Sequence, residues 1–172
     1  IASKLLRVNL SDLAAMGALP RAYTLNMTLP GDVTDAWVRA FCQGLADQQK
    51  NFGIGLLGGD SVSSPGPATL SATLCGEVPV GQAIRREGAL PGDYIFVSGT
   101  IGDGALGLLA AKGELAVIDE VEAKLLAERY RTPEPRIALG LALRGNATAG
   151  ADISDGLLAD IGHIVDVSNV GA

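Results

Sequence analysis

Hydrophobic residues along this chain follow two alternating periods, one helical and one extended. Residues 1–16 carry apolar side chains at helical spacing through "KLLRVNLSDLAAMG", which predicts a first helix. After the turn "GALP", the segment "RAYTLNMTL" predicts a strand. Pro30 and Gly31 open a loop, and Thr34 has the chemistry of an N-cap for a helix from Asp35 to Lys50. "IGLLGGD" reads as a short buried strand closed by a glycine turn, "SVSSPGP" as a surface loop, and "ATLSATLCGEV" as an alternating strand. The resulting order, helix-strand-helix-strand-strand, predicts an α+β layer with one covered sheet face.

The segment "EGALPGD" (87–93) reads as a boundary, giving expected domains at 1–88 and 89–172. Beyond it the pattern predicts a strand at "YIFVSG", a glycine-rich turn, a helix from near Asp103 and a charged helix over 117–131. "RTPEPR" ends that helix, because proline disfavours helix at its own position and at the one before. A helix from about Arg136, a strand at "ATAGADIS" and a helix from Asp155 follow. No internal repeat or low-complexity tract interrupts the series.

Composition narrows the functional classes. A net charge of −6, with no basic run longer than Arg85-Arg86, argues against a nucleic-acid groove. No uncharged apolar run reaches the ~18 residues of a membrane span, and no signal-peptide pattern is present. Cys42 and Cys75 show no ligand spacing and read as core thiols of a reducing compartment, so a cytoplasmic protein is expected. The chain opens at Ile1 already inside a helical pattern and stops soon after another. It is expected to be an interior piece of something longer.

Acidic residues gather where elements end. On the first helix, Val8, Leu5, Met16, Leu13 and Leu6 fall on one arc at ~100° per residue, and Asn9 and Asp12 fall within it. A carboxylate on a core-facing stripe must be paired, hydrogen-bonded or metal-bound. Asp12 is therefore either a local cap or ion-pair member, or a metal ligand. Asp60 follows two glycines in "LLGGD", a pattern that suits either a plain strand-end turn or close backbone approach to a ligand. In "GADISDGLLADIGH" (150–163), extended backbone would turn Asp152 and Ser154 to one face, while Asp155 begins a helix. An N-cap role accounts for Ser154 or Asp155 but leaves Asp152 unexplained. Acids at three element ends suit a hard divalent cation such as Mg²⁺. "VSGTIGDGALG" lacks both the P-loop and the dinucleotide glycine register and reads as structural. His163, the only histidine, reads as a partly exposed structural residue, and Phe52 as core.

With these residues in view, the chain resembles the thiamine-monophosphate kinase family, within the aminoimidazole ribonucleotide synthetase-like superfamily. The segments that carry the resemblance, in order, are "VNLSDLAAMGA", "GLLGGDSVSSPG", "GQAIRREGALPGDYIFVSGTIGDGALGL", "RTPEPRIALGLALR" and "DISDGLLADIGHI". It implies an α/β (α+β) protein of two domains, the first pairing its strands with a second subunit in a shared β-barrel as a homodimer. It also implies ATP and several Mg²⁺ ions between the domains, with thiamine monophosphate as phosphoryl acceptor. Carried across by motif, Asp12, Asp60, Asp152 and Asp155 would be Mg²⁺ ligands, and Gly59, Asp60, Arg86 and Ser154 would meet ATP. No general base is expected, since the acceptor phosphate is already largely ionised near neutrality. Where family members often show "GGDTTR" and "GRAL", this chain has "GGDSVS" and "GQAI", so basic residues are missing at Ser63 and Gln82. The resemblance places a Gly-Asp-Asp segment before Ile1 and a Gly-Gly-Glu-Asp segment after Ala172. The alternatives are another ATP-dependent synthetase of the same superfamily, or a non-catalytic dimerisation or nucleotide-binding module.

Overall fold

A computed structural model describes residues 1–115 and 119–172. Helix α1 (Ala2–Ala15) leads into strand β1 (Leu19–Leu29), helix α2 (Asp35–Phe52) and strands β2 (Gly55–Ser63) and β3 (Thr69–Glu77). This first half has the expected order. The sheet runs β2-β1-β3, with β2 parallel and β3 antiparallel to the central strand. Helix α2 starts as its sequence predicts, with the Thr34 hydroxyl accepting from the Trp37 N–H at 3.2 Å. It stops at Gly53, whose φ of 65° is a left-handed conformation that a Cβ would resist.

The core lies between α1, α2 and one face of the sheet: Leu6, Leu10, Tyr23, Leu25, Phe41, Leu45 and Ile54. Leu6, Leu10 and Tyr23 are fully buried, each apolar body contributing on the order of 1.5–3 kcal/mol. The Tyr23 hydroxyl is satisfied by the Gln49 side-chain amide at 3.0 Å.

Three expectations about this half need correction. The buried face of α1 is Ala2, Leu6, Leu10 and Ala14; of the expected arc of Val8, Leu5, Met16, Leu13 and Leu6 only Leu6 is buried, while Val8 is 40 % and Met16 45 % exposed. Apolar residues occupy more than half of this helix's circumference, so periodicity allows two seams, and packing against α2 and the sheet selects one. Residues Val8, Asp12 and Met16, also spaced by four, therefore face outward. Strand β2 is neither buried nor ended by its glycines: it runs through Gly58, Gly59 and Asp60 to Ser63 and is exposed throughout. As an edge strand it has a neighbour on one side only. Cys42 and Cys75 are both exposed, on the outer faces of α2 and β3.

The second half contains helices α3 (Asp103–Lys112), α4 (Glu120–Arg131), α5 (Ile137–Leu143) and α6 (Leu157–Ser168). Residues 117 and 118 of the expected charged helix lie outside the described residues. The expected strands at 94–99 and 147–154 do not form among the described residues. Tyr94 and Phe96 are 87 % and 89 % exposed, with no ladder partner. Extended propensity becomes a strand only when a second strand takes up the backbone hydrogen bonds.

The two halves are joined through α1. Arg7 donates to the Gln48 side chain at 2.8 Å, to the Pro133 carbonyl at 3.2 Å and to Glu134 at 2.9 Å, so the "RTPEPR" segment is tied to α1 and α2. Farther along, α5 packs directly on the C-terminal end of α1 (contact at Gly140), and the Arg144 Nε donates to the Gly17 carbonyl.

Candidate active-site cleft

The last turn of α1 carries Asp12 to a seam with two loops. The Ile84 N–H donates to the Met16 carbonyl at 3.1 Å, and the Gly150 N–H donates to the Arg85 carbonyl at 2.9 Å. These bonds stitch 84–87 and 150–152 side by side against α1. Gly150 is needed at this seam, since a Cβ there would lie 2.9 Å from the Ile84 side chain. Between the three segments is a cleft of about 500 Å³, lined by Asp12, Met16, Ile84, Arg86, Asp152 and Val167 among others.

Asp12, Asp152 and Arg86 are thus brought together from sequence positions far apart. Burial raises the Asp12 carboxyl above its ordinary pKa, the neighbouring Asp152 raises it further by charge and by a hydrogen bond, and Arg86 pulls it down. Among the described residues Arg86 forms no ion pair of its own, which leaves its guanidinium available to an anion. Two carboxylates lining one cleft favour a cation between them. An all-oxygen, doubly acidic pair is a donor set that a hard divalent ion fits.

The pH consequence can be measured. Because Asp12 has a raised folded pKa, its stabilising contribution is complete below its unfolded pKa and disappears as pH rises through the folded value. In divalent-free buffer, thermal melts of the unmodified chain minus Asp12→Asn, taken across about pH 3 to 7, are expected to fall along that direction. A difference that is flat, or that rises with pH, would refute the pairing.

The segment after Asp152 is built differently from its expectation. Helix α6 begins at Leu157 with Gly156 as N-cap and no capping side chain, so neither Ser154 nor Asp155 performs that task. Instead Asp160, 3 % exposed in the first turn of α6, turns back. One of its oxygens accepts the backbone N–H groups of Ser154, Asp155 and Gly156 at 2.9, 3.2 and 3.2 Å. Sequence reasoning overlooked Asp160. The available signal was an acid in the first turn of a helix whose apparent cap residues lay too early. Asp155 and Ser154 are exposed, and a carboxylate oxygen of Asp155 lies within 4.8 Å of ligand atoms of Asp160 and His163. At the other end of α6, the Ser168 hydroxyl accepts from the Gly88 and Ala89 N–H groups at 3.1 and 3.2 Å and donates to the Arg86 carbonyl at 3.3 Å.

Gly59 and Asp60 stand apart from the cleft in the single chain. Asp60 is in register with Asn26 on β1, whereas the cleft adjoins the Leu19 end of that strand, on the order of 20 Å away at ~3.3 Å per residue. Asp60 is exposed and accepts from the Ser61 N–H at 2.8 Å. Gly59 makes a close backbone approach, but to β1: a Cβ there would fall 1.7 Å from the Leu25 carbonyl oxygen.

The small mixed sheet, the helices on it and the acidic cleft at the α1 seam define a mixed α/β protein with a candidate binding cleft. Residues 1–78 match the family described as AIR synthase related protein, N-terminal domain, and residues 91–172 match its C-terminal domain; the chain belongs to this family. Within it, the chain is similar along its whole length to thiamine-monophosphate kinases. It is 47 % identical over 172 residues to that of Escherichia coli (strain K12), covering 100 % of this chain and 52 % of the relative. The crystal structure of thiamine-monophosphate kinase from Stenotrophomonas maltophilia superposes with a TM-score of 0.88 at 46 % identity, over 98 % of this chain and 54 % of that one. AaThiL complexed with AMPPCP and TMP superposes with a TM-score of 0.90 at 33 % identity, over 98 % and 53 %. The chain spans about half the length of the curated relatives it matches.

Proposed function

We propose that the protein to which this chain belongs transfers the γ-phosphoryl group of ATP to thiamine monophosphate, yielding thiamine diphosphate and ADP. The observation that carries the reading is the cleft where Asp12, Asp152 and Arg86 converge, in a chain aligned throughout with thiamine-monophosphate kinases. A relative of the same fold is described as complexed with AMPPCP and TMP, which supports the same pair of substrates here.

The chemistry brings one anion to another. An oxygen of the acceptor phosphate attacks the γ-phosphorus, the bond to the β-phosphate oxygen breaks, and ADP leaves. The attacking phosphate is largely ionised near neutrality, its second pKa being about 6, so no side-chain base is required. Asp12 and Asp152 would hold Mg²⁺, with Asp155 and, from β2, Asp60 as further ligands. Bound there, the ion supplies charge neutralisation for the phosphoryl oxygens. Arg86 contributes a fixed positive charge to a phosphate oxygen, while Gly59 and Ser154 would meet the nucleotide. The backbone staples at Ile84 and Gly150 keep these groups preorganised, which is where phosphoryl transfer obtains most of its acceleration.

The separation of Asp60 from the cleft within one chain supports a homodimer, in which a second subunit could bring an edge strand close. The exposed Leu56, Leu57 and Val62 of β2 fit such a contact. The domain division at about residue 88 accords with the turn-rich segment there. Among the described residues no helix is long and apolar enough to cross a membrane. ATP as co-substrate suits the cytoplasm.

The test is made on the full-length protein. Incubation with ATP, Mg²⁺ and thiamine monophosphate is expected to give thiamine diphosphate and ADP in equal amounts. Turnover of an aminoimidazole ribonucleotide precursor, with none of thiamine monophosphate, would replace this reading with a synthetase.

A further inference from the structure

We propose that Asp160 is the positioning residue of this cleft: its buried carboxylate fixes the 154–156 backbone and so sets where Asp152 and Asp155 present their oxygens. The inference rests on the phosphoryl-transfer reading for its consequence, though not for its geometry.

A carboxylate that is 3 % exposed needs a structural reason to remain in place, because burying it unsatisfied is costly. Here the reason is visible. Three successive N–H groups, at Ser154, Asp155 and Gly156, converge on one oxygen of Asp160. These amides precede α6 and have no strand to pair with, since 150–156 makes no ladder. Gly156, at φ 125° and ψ 151°, lies outside helical geometry, so the helix cannot organise the loop by simple continuation. Remove the carboxylate, and three adjacent N–H groups lose their common acceptor. Among the described residues, the backbone bonds then left to the 150–156 segment are Gly150 N–H to the Arg85 carbonyl at one end and the Asp160 N–H to the Gly156 carbonyl at the other, with none at 151–155.

Asp160 also lies within 4.8 Å of ligand atoms of Asp155 and His163, which raises a direct role as a cation ligand. Its burial and its three backbone donors favour the positioning role, while Asp155 and His163 are exposed. The two roles respond differently to amide replacement. Asparagine retains an oxygen that accepts N–H groups, but loses the charge on which cation binding depends.

The experiment uses the full-length protein and compares Asp160→Asn and Asp160→Ala with the unmodified chain. Binding of ATP with Mg²⁺ is measured by calorimetry, and amide hydrogen exchange is followed at 154–156. Asp160→Asn is expected to keep affinity within about threefold and to retain exchange protection. Asp160→Ala is expected to lose protection at these amides and at least about tenfold in affinity. Should Asp160→Ala not fold, Asp160→Asn still decides: affinity loss of tenfold or more there assigns the charge itself a ligand role and overturns the proposal. It is equally overturned if Asp160→Ala leaves the amides protected, or frees them with affinity unchanged. If the unmodified protein binds no ATP with Mg²⁺, the kinase reading fails. The exchange pattern then judges the positioning role by itself, with protection retained in Asp160→Asn and lost in Asp160→Ala supporting it, and any other pattern overturning it.

Discussion

Asp152→Asn in the full-length protein is expected to lower kcat/KM for thiamine diphosphate formation at least ~100-fold while making the metal-free protein slightly more stable. The two effects have one cause. Asp152 lines the same cleft as Asp12, and its negative charge helps to raise the Asp12 pKa. Without a cation, that proximity is unfavourable, so neutralising one partner relieves repulsion. Both groups face an open cleft, and solvent screening limits the gain to at most ~0.5 kcal/mol, or about 1–2 °C in Tm. With Mg²⁺ present the balance reverses, because the unmodified pair gains binding free energy from the ion and the amide variant does not. Melting curves in chelator and in excess Mg²⁺ should therefore cross over between the two proteins. A variant that is less stable under both conditions, or that retains activity within about tenfold, would remove Asp152 from the metal-binding pair.

The second large effect is structural. Gly140→Ala is expected to destabilise the chain by about 3 kcal/mol or more, a fall of roughly 6–12 °C in Tm. At Gly140 α5 meets α1 backbone to backbone. An added Cβ would stand 1.9 Å from the Ala14 carbonyl oxygen and 2.8 Å from its carbon. No rotamer relieves a clash with main chain, so α5 must move away from α1. That movement would also loosen the Arg144 contact to the Gly17 carbonyl, close to the cleft. Gly104 is the matching control. It lies within α3, where an added Cβ would have nothing within 4 Å, so Gly104→Ala should stabilise by ~0.5–1 kcal/mol through helix propensity alone. Calorimetric melts of the two variants should move in opposite directions. If Gly140→Ala melts within about 2 °C of the unmodified chain, the close approach of α5 to α1 is incorrect.

Local chemistry was legible wherever a short-range rule governs it. The Thr34 cap, the alternation of β3 and the interruption at "RTPEPR" each depend on neighbours within a few residues, and each lies where it was expected. Candidate acids were legible too, since an Asp that ends an element needs an explanation that periodicity does not supply. The buried face of α1 was less accessible. Leu5, Leu6, Leu10 and Leu13 permit more than one seam, and the choice of Leu6 with Leu10 depends on α2 and the sheet. The extended segment around Phe96 failed for a related reason, because strand character is completed by a partner that local sequence cannot specify.

By itself, then, the sequence determined the order of elements in the first half, the ends of most helices and the set of residue types able to hold a phosphate or a hard cation. Only the tertiary structure decided that Asp12, Arg86 and Asp152 share a cleft, that Asp60 lies away from it in one chain, and that Asp160 holds the loop between Asp152 and α6. The physical reason is range. Caps, turns and periodicity are settled by bonds across a few residues, whereas convergence of side chains depends on how α1, the 84–87 loop and the 150–152 segment dock. That docking is driven by core burial and close backbone contacts, which carry no signature at the positions of the functional side chains themselves.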